Sequence, residues 1–173
     1  MEIDFLNSQC QSVSNKKRFG LCDEQDNKEP AYLDERNGAK WIAVVENDEL
    51  KEVHFIAIDY CIDIWRDEEK KEMDNRCDGM LWYDGKNLIF VELKDRKLRN
   101  ASKFIKEAAL QLTATINHFK KNCNIADYNI KAAYIANKNK IHCSYVARMK
   151  RFQQETGYTL RIENRIKIPY MTP

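Results

Sequence analysis

Hydrophobic residues group into short runs, and the first two runs after residue 40 predict β-strands. Residues 41–45 and 53–58 are rich in β-branched and aromatic side chains, which strands favour. Asn47 and Asp48 between them predict a hairpin turn. A helix across residues 39–46 is the alternative, because a short apolar run does not define its own period.

The longest amphipathic pattern lies in residues 100–121. Its buried positions recur every three or four residues and include one threonine: Phe104, Ala108, Leu112, Thr115, Ile116 and Phe119. This spacing predicts a helix with one buried face, with Asn100 or Ser102 as its N-cap. A second helix is predicted from residue 144 to 156, with Gly157 as its stop signal.

The order of the predicted elements indicates the fold class. A hairpin is predicted in residues 78–94, a strand in 128–136 and a short edge strand within 160–168. From residue 40 on, the order β-β-β-α-β-α-β indicates an α/β domain whose mixed central sheet is covered by helices on at least one face. Residues 1–38 are polar and rich in breakers, so we expect a loop-rich extension, with at most one short helix, beside a domain of residues 39–173.

Composition fits a globular chain of one domain. The 173 residues are 43% hydrophobic and 32% charged. Since no apolar run approaches the roughly 20 residues that span a bilayer, we expect no membrane partner. The chain start lacks the basic and apolar segments of a signal peptide, so we expect a cytoplasmic protein. The six cysteines include no C-x-x-C pair, and we expect them to be thiols, mostly buried.

Charge is unevenly distributed along the chain. The net charge is only +2, but residues 1–93 carry −10 and residues 94–173 carry +12. Such asymmetry suggests a basic face for a polyanion such as nucleic acid. The alternative is that the basic side chains decorate solvated helix surfaces.

The predicted strand 87–94 is apolar on both faces until its last residues. Residues two apart on a strand share a face, so Glu92 and Lys94 continue the face of Leu88 and Phe90. Because the strand is buried on both faces, its charged end lies at a partly buried edge of the sheet. Burial of a carboxylate there is unfavourable unless a positive charge or a hydrogen-bond donor interacts with it. A divalent cation bound by Glu92 would provide that charge.

Asp78 reaches the same point only in some hairpin registers. A three-residue loop at residues 84–86 places Asp78 opposite Glu92 and on the same face, whereas a two-residue turn sends it to the other face. The hypothesis of a metal site therefore predicts the longer loop, or else a β-bulge at Gly79.

An aspartate on one strand, followed by Glu-x-Lys on the next, resembles the signature of the PD-(D/E)XK nuclease superfamily. Asp78, Glu92 and Lys94 match its three positions, and residues 40–137 match the order of elements in its αβββαβ core, the restriction-endonuclease-like fold. Cys77 stands in place of the proline of that signature, at a position that varies in the family.

The resemblance implies a nuclease that depends on Mg²⁺ or Mn²⁺. In that family the two carboxylates and the carbonyl after the second one bind the metal, here Asp78, Glu92 and the carbonyl of Leu93. The lysine, here Lys94, orients or activates the attacking water. Oxygen ligands and a water of lowered pKa are what Mg²⁺ chemistry requires.

Further candidate residues follow from the resemblance and from the basic half of the chain. Gln111 matches a glutamine that some members place on the helix after the motif, and Glu46 or Glu72 would match a glutamate from a first helix. Asp59 and Asp63 are either further metal ligands or loop caps. Basic residues near the predicted helix either contact phosphates or form a solvated surface: Lys97, Arg99, Lys103 and Lys106.

The expected function is hydrolysis of phosphodiester bonds in nucleic acid, DNA rather than RNA. By analogy with the family, a defence or repair effector is expected, with specificity supplied by a homodimer or a protein partner. The alternative is a catalytically inactive protein of the same fold that acts through a protein partner.

Overall fold

The computed structural model describes residues 2–142 and 144–171, in which it has ten strands and two α-helices. The strands are β1 (Gln11–Ser14), β2 (Arg18–Cys22), β3 (Tyr32–Asp34), β4 (Ala43–Asn47), β5 (Val53–Ala57), β6 (Gly79–Tyr83), β7 (Asn87–Lys94), β8 (Asn129–Asn137), β9 (Leu160–Ile162) and β10 (Arg165–Ile168). The helices are α1 (Ala101–Asn122) and α2 (Val146–Thr156).

A six-stranded mixed sheet forms the centre of the fold, in the order β1-β5-β6-β7-β8-β9. The pairs β1–β5, β5–β6 and β6–β7 are antiparallel, whereas the pairs β7–β8 and β8–β9 are parallel. A parallel pair needs a crossover connection, and α1 provides it between β7 and β8. The expectation of an α/β fold with a mixed central sheet is confirmed.

Strand β7 lies between two hydrophobic cores. Leu88 and Phe90 pack into the core on the side of α1 and α2. Ile89, Val91 and Leu93 point to the opposite side and pack into the other core. The alternation read from the sequence therefore predicted both faces correctly, because side chains on a strand alternate with a period of two.

The opposite face of the central sheet is covered by a second sheet, which the sequence did not predict. It has four strands in the order β10-β4-β2-β3, with β10 parallel to β4 and the other pairs antiparallel. Apolar residues of this sheet, such as Phe19 and Val45, are fully buried against it. Helices thus cover only one face of the central sheet.

The structure decides three points about the first half of the chain. Residues 1–38 are loop over most of their described length, as expected, but they also contain three strands that the sequence did not predict: β1, β2 and β3. Residues 39–46 form a 3-10 turn and part of β4, so the helical alternative is excluded. Asn47 and Asp48 do not close a hairpin, because β4 and β5 belong to different sheets. Asn47 is instead fully buried, and its side chain bonds the backbone of residues 16 and 51.

Both predicted helices are present. The buried face of α1 contains the whole predicted stripe, from Phe104 to Phe119. Asn100 takes the N-cap position but makes no side-chain capping bond. Helix α2 begins two residues later than predicted and ends at Gly157, whose positive φ of 85° gives the left-handed stop that glycine favours.

The expectation of free thiols is wrong for two cysteines. Cys10 and Cys61 form a disulfide that links the start of β1 to the loop after β5. Such a bond is typical of oxidising compartments and is not what a cytoplasmic location predicts. Cys22 and Cys77 are free and buried, as expected. Across the described residues, no helix has both the length and the apolar character needed to cross a bilayer.

Candidate active site

The ends of β6 and β7 meet in the register that the metal hypothesis requires. Tyr83 is paired with Asn87 and Gly79 with Val91, so the hairpin loop has three residues. Continuing this register by one residue pair beyond Gly79 and Val91 places Asp78 opposite Glu92. The predicted loop is confirmed, and the bulge at Gly79 is not needed.

Gly79 has a different role from the predicted one. A Cβ atom at this position would lie 2.5 Å from the ring of Phe55 and 2.6 Å from the carbonyl oxygen of Ile56. Both atoms belong to β5, which pairs with β6 at this point. The glycine lets the two strands and the Phe55 ring pack closely beside Asp78.

Asp78 and Glu92 are linked through the backbone. The amide of Asp78 donates to Glu92 Oε2 at 3.0 Å, and the amide of Leu93 donates to Asp78 Oδ2 at 2.6 Å. Glu92 is 1% exposed and Asp78 8%. Asp78 Oδ1 accepts no hydrogen bond from the described residues, so one carboxylate oxygen remains available to a ligand.

Lys94 completes the site on the same face. Its ammonium lies 2.8 Å from Glu92 Oε1 and donates to Gln111 Oε1 at 3.2 Å. Gln111 in turn donates through Nε2 to the carbonyl oxygen of Arg76 at 3.3 Å. The structure therefore places Gln111 of α1 beside the lysine of the motif.

Burial dominates the electrostatics of the two carboxyl groups. It raises the pKa of Asp78 well above its usual value, and repulsion from Glu92 raises it further. Burial also raises the pKa of Glu92, to about 7, although Lys94 acts in the opposite direction. Burial tends to lower the pKa of Lys94, but attraction to Glu92 and Asp78 outweighs it and the pKa is raised, so Lys94 stays charged. Both carboxyl groups are therefore harder to ionise than free ones, and a bound cation would favour their charged forms.

Two further acidic residues surround the site. Asp59 follows β5 and receives two hydrogen bonds from Arg76, at 2.7 and 3.0 Å. Burial, together with repulsion from Asp59, raises the pKa of Asp23 to about 6, and Lys94 partly offsets this. The sequence signal for Asp59 was its position directly after a strand that pairs with β6. Asp23 follows a strand of the unpredicted second sheet, so no signal pointed to it.

The two glutamates proposed from the family pattern lie elsewhere. Glu46 is on β4 and forms an ion pair with Arg165 on β10. Glu72 forms an exposed pair with Arg66 at 2.7 Å. Their partners lie away from Asp78 and Glu92, because Glu46 is on a strand of the second sheet and Glu72 is in the irregular segment between β5 and β6. Asp63 lines a separate surface groove together with residues from the chain start.

A basic groove of about 440 Å³ opens beside Lys94. Three of the four residues predicted to contact phosphates line this groove: Lys97, Arg99 and Lys103. Arg96 lines it as well, whereas the fourth predicted residue, Lys106, does not. Asp95 and Glu107 are the acidic residues of its wall. The groove begins at the lysine of the motif and continues along the N-terminal end of α1.

The donor set fits a magnesium ion better than a metal held in a full protein cage. No cluster of three or more histidine, cysteine or acidic side chains in the described residues is arranged to hold a metal ion. Mg²⁺ is commonly bound by one or two carboxylates and completes its octahedron with water and substrate oxygens. Asp78, with its free Oδ1, and Glu92 provide two such carboxylates. Leu93, the residue after Glu92, donates its amide to Asp78 Oδ2 and so holds the two carboxylates close together.

No protein-family model, curated protein or solved structure matches the chain.

Proposed function

We propose that the protein is a metal-dependent nuclease that hydrolyses phosphodiester bonds, with DNA as its expected substrate. The observation that carries this proposal is the convergence of Asp78, Glu92 and Lys94 at one buried end of the central sheet. Two carboxylates and a lysine at such a point are costly for stability and are explained by a bound cation and a reacting water.

The topology around the site supports a restriction-endonuclease-like core. Strands β5, β6 and β7 form an antiparallel meander, and α1 then leads to β8, which is parallel to β7. This order of elements agrees with the βββαβ part of the αβββαβ core. The first helix of that core has no counterpart among the described residues, and β4 of the second sheet precedes β5 instead.

The chemistry assigns a role to each residue. Asp78, Glu92 and the carbonyl of Leu93 would hold Mg²⁺, which supplies positive charge for the phosphorane and lowers the pKa of bound water. Lys94 adds positive charge beside the scissile phosphate or the attacking water. Gln111 holds the Lys94 ammonium in place, and the basic groove binds the phosphates on either side.

The proposal is tested by incubating the protein with supercoiled plasmid, single-stranded DNA and RNA in Mg²⁺, Mn²⁺ or EDTA. We expect metal-dependent cleavage of DNA and a loss of about 100-fold or more in rate for Lys94→Ala, as for removal of other transition-state donors. Lys86→Ala is the matched control, because Lys86 is exposed in the hairpin loop at the far end of the same strand pair. Cleavage that is equal in the wild type and in Lys94→Ala would contradict the mechanism.

One observation favours a non-catalytic protein of the same fold as the alternative. Both carboxylate oxygens of Glu92 are engaged within the protein, by the amide of Asp78 and the ammonium of Lys94. A protein that has lost catalysis would keep such an internal network and bind a protein partner instead. Under this alternative, no substrate of the panel is cleaved and Mg²⁺ does not stabilise the fold.

A further inference from the structure

Three polar side chains on one side of α1 contact the segment that leads into Asp78. Gln111, Thr115 and His118 are spaced four and three apart, so they lie along one line of the helix surface. Gln111 donates to the carbonyl oxygen of Arg76 at 3.3 Å, and His118 Nε2 lies 2.7 Å from Asp74 Oδ2. The central contact is made by Thr115.

Thr115 joins α1 to the residue directly before Asp78. Its hydroxyl accepts a hydrogen bond from the amide of Cys77 at 2.8 Å and donates to the carbonyl oxygen of Gln111 at 2.9 Å. Thr115 and Cys77 are both fully buried. The hydroxyl therefore satisfies a buried amide that the strand ladder does not reach.

An apolar residue would fill the same space without this bond. Thr115 lies in the buried face of α1 between Leu112 and Phe119, where valine has nearly the same shape. A buried amide that loses its acceptor is left with an uncompensated desolvation cost, and a backbone segment without that anchor can shift. The hydroxyl at this position has a specific partner, which ordinary core packing does not require.

The anchored segment determines where the Asp78 carboxylate lies. On the other side of the chain, the amides of Ile58 and Asp59 donate to the carbonyl oxygens of Asp78 and Cys77, at 2.8 and 3.2 Å. The Cys77–Asp78 peptide is thus held between α1 and the end of β5. A shift of about 1 Å at a reacting centre can cost on the order of 100-fold in rate.

We propose that Thr115 is a positioning residue, which holds the Cys77 amide and thereby fixes the Asp78 carboxylate for metal binding. The proposal rests on the proposed function of the site. Residues that orient metal ligands typically change metal affinity or activity by about 10–100-fold when they are mutated.

The test compares Thr115→Val and Thr115→Ser with Thr113→Val. Thr113 donates the same type of helical bond, to the carbonyl oxygen of Ala109 at 2.8 Å, but accepts no bond from another element among the described residues. We expect Thr115→Val to weaken Mn²⁺ binding at least 10-fold and to raise the Mn²⁺ concentration for half-maximal cleavage similarly. Thr115→Ser should restore both values, and Thr113→Val should match the wild type.

A second readout separates this proposal from the proposed function. The amide NMR signals of Asp78 and Leu93 report the two bonds at the carboxylates, and they should move in Thr115→Val but not in Thr113→Val, whether or not the protein binds metal. Absence of cleavage with shifted amide signals would overturn only the nuclease proposal. Unchanged signals and unchanged Mn²⁺ affinity in a folded Thr115→Val protein would overturn the positioning role.

Hydrogen exchange in the wild type provides a test that needs no variant. The Cys77 amide should exchange as slowly as the amides of β6, because its hydrogen is bonded to Thr115 inside the core. Rapid exchange of this amide would show that the bond is not maintained and would overturn the proposal even if Thr115→Val does not fold.

Discussion

At the residue scale, the site works against the stability of the protein that carries it. Asp78 and Glu92 are nearly inaccessible to solvent, and burial is the first cause of the raised pKa of each. Structural carboxylates are normally placed so that their pKa falls on folding. Buried carboxyl groups that lower the stability of the folded state are typical of functional sites, where residues needed for activity are often destabilising.

Asp78→Asn should therefore stabilise the metal-free protein at pH 8. The folded pKa of Asp78 is raised, so its contribution to stability is fully present below the unfolded pKa and is lost as the pH rises towards the folded pKa. The variant removes this loss and keeps an acceptor for the Leu93 amide. We expect Asp78→Asn to unfold at a clearly higher urea concentration than the wild type at pH 8, and at almost the same concentration at pH 4.

Urea unfolding at both pH values in the presence of EDTA measures this difference. Asp127→Asn is the control, because Asp127 is exposed in the turn before β8 and should change stability by less than about 0.5 kcal/mol. A variant at Asp78 that is destabilised equally at pH 4 and pH 8 would contradict the account.

At the scale of elements, local patterns were predictable and long-range pairings were not. The apolar period of α1 and the alternation along β7 each reflect burial on defined faces, which a sequence records directly. The hairpin loop could be limited to two lengths, and the convergence of Asp78 and Glu92 required either the observed three-residue loop or a bulge at Gly79. Thus the two carboxylates and Lys94 could be placed together from sequence.

The second sheet could not be predicted because it pairs distant segments. Strand β4 pairs with β2 before it and with β10 some 120 residues after it, and neither pairing leaves a local pattern. Short strands with few alternating residues, such as β3, also resemble loops. For the same reason, no sequence signal pointed to Asp23, which follows β2, and Glu46 on β4 was kept as a candidate for a glutamate from a first helix.

The disulfide between Cys10 and Cys61 should contribute measurably to stability. It closes a segment with a sequence separation of 51 residues and fastens β1 to the loop that carries Asp59. Constraint of the unfolded chain by such a loop stabilises a protein by about 2–4 kcal/mol. We expect Cys61→Ser to lower the free energy of unfolding by that amount under oxidising conditions.

A reducing agent should lower the stability of the wild type to that of Cys61→Ser and leave the variant unchanged. Cys123→Ser is the matched control, because Cys123 is a free and partly exposed thiol. If thiol titration of the unfolded wild type finds all six cysteines free without reductant, the bond is absent and the expected difference disappears.

At the scale of the whole molecule, the site lies where the acidic and basic halves of the chain meet. The surrounding carboxylates all come from residues 1–93, whereas Lys94 begins the part that carries a net charge of +12. The fold brings Asp59 and Asp78 next to a groove lined by Lys97 and Arg99. An acidic site beside a basic groove is the charge arrangement that the proposed metal-dependent cleavage of a polyanion requires.

Calorimetric titration with Mn²⁺ tests the central claim most directly, because it asks whether the two carboxylates form a metal site. We predict that the wild type and Lys94→Ala bind the ion, whereas Asp78→Asn and Glu92→Gln lose at least 10-fold in affinity while they remain folded. Binding that is absent in the wild type, or equally strong in all four proteins, would contradict the account.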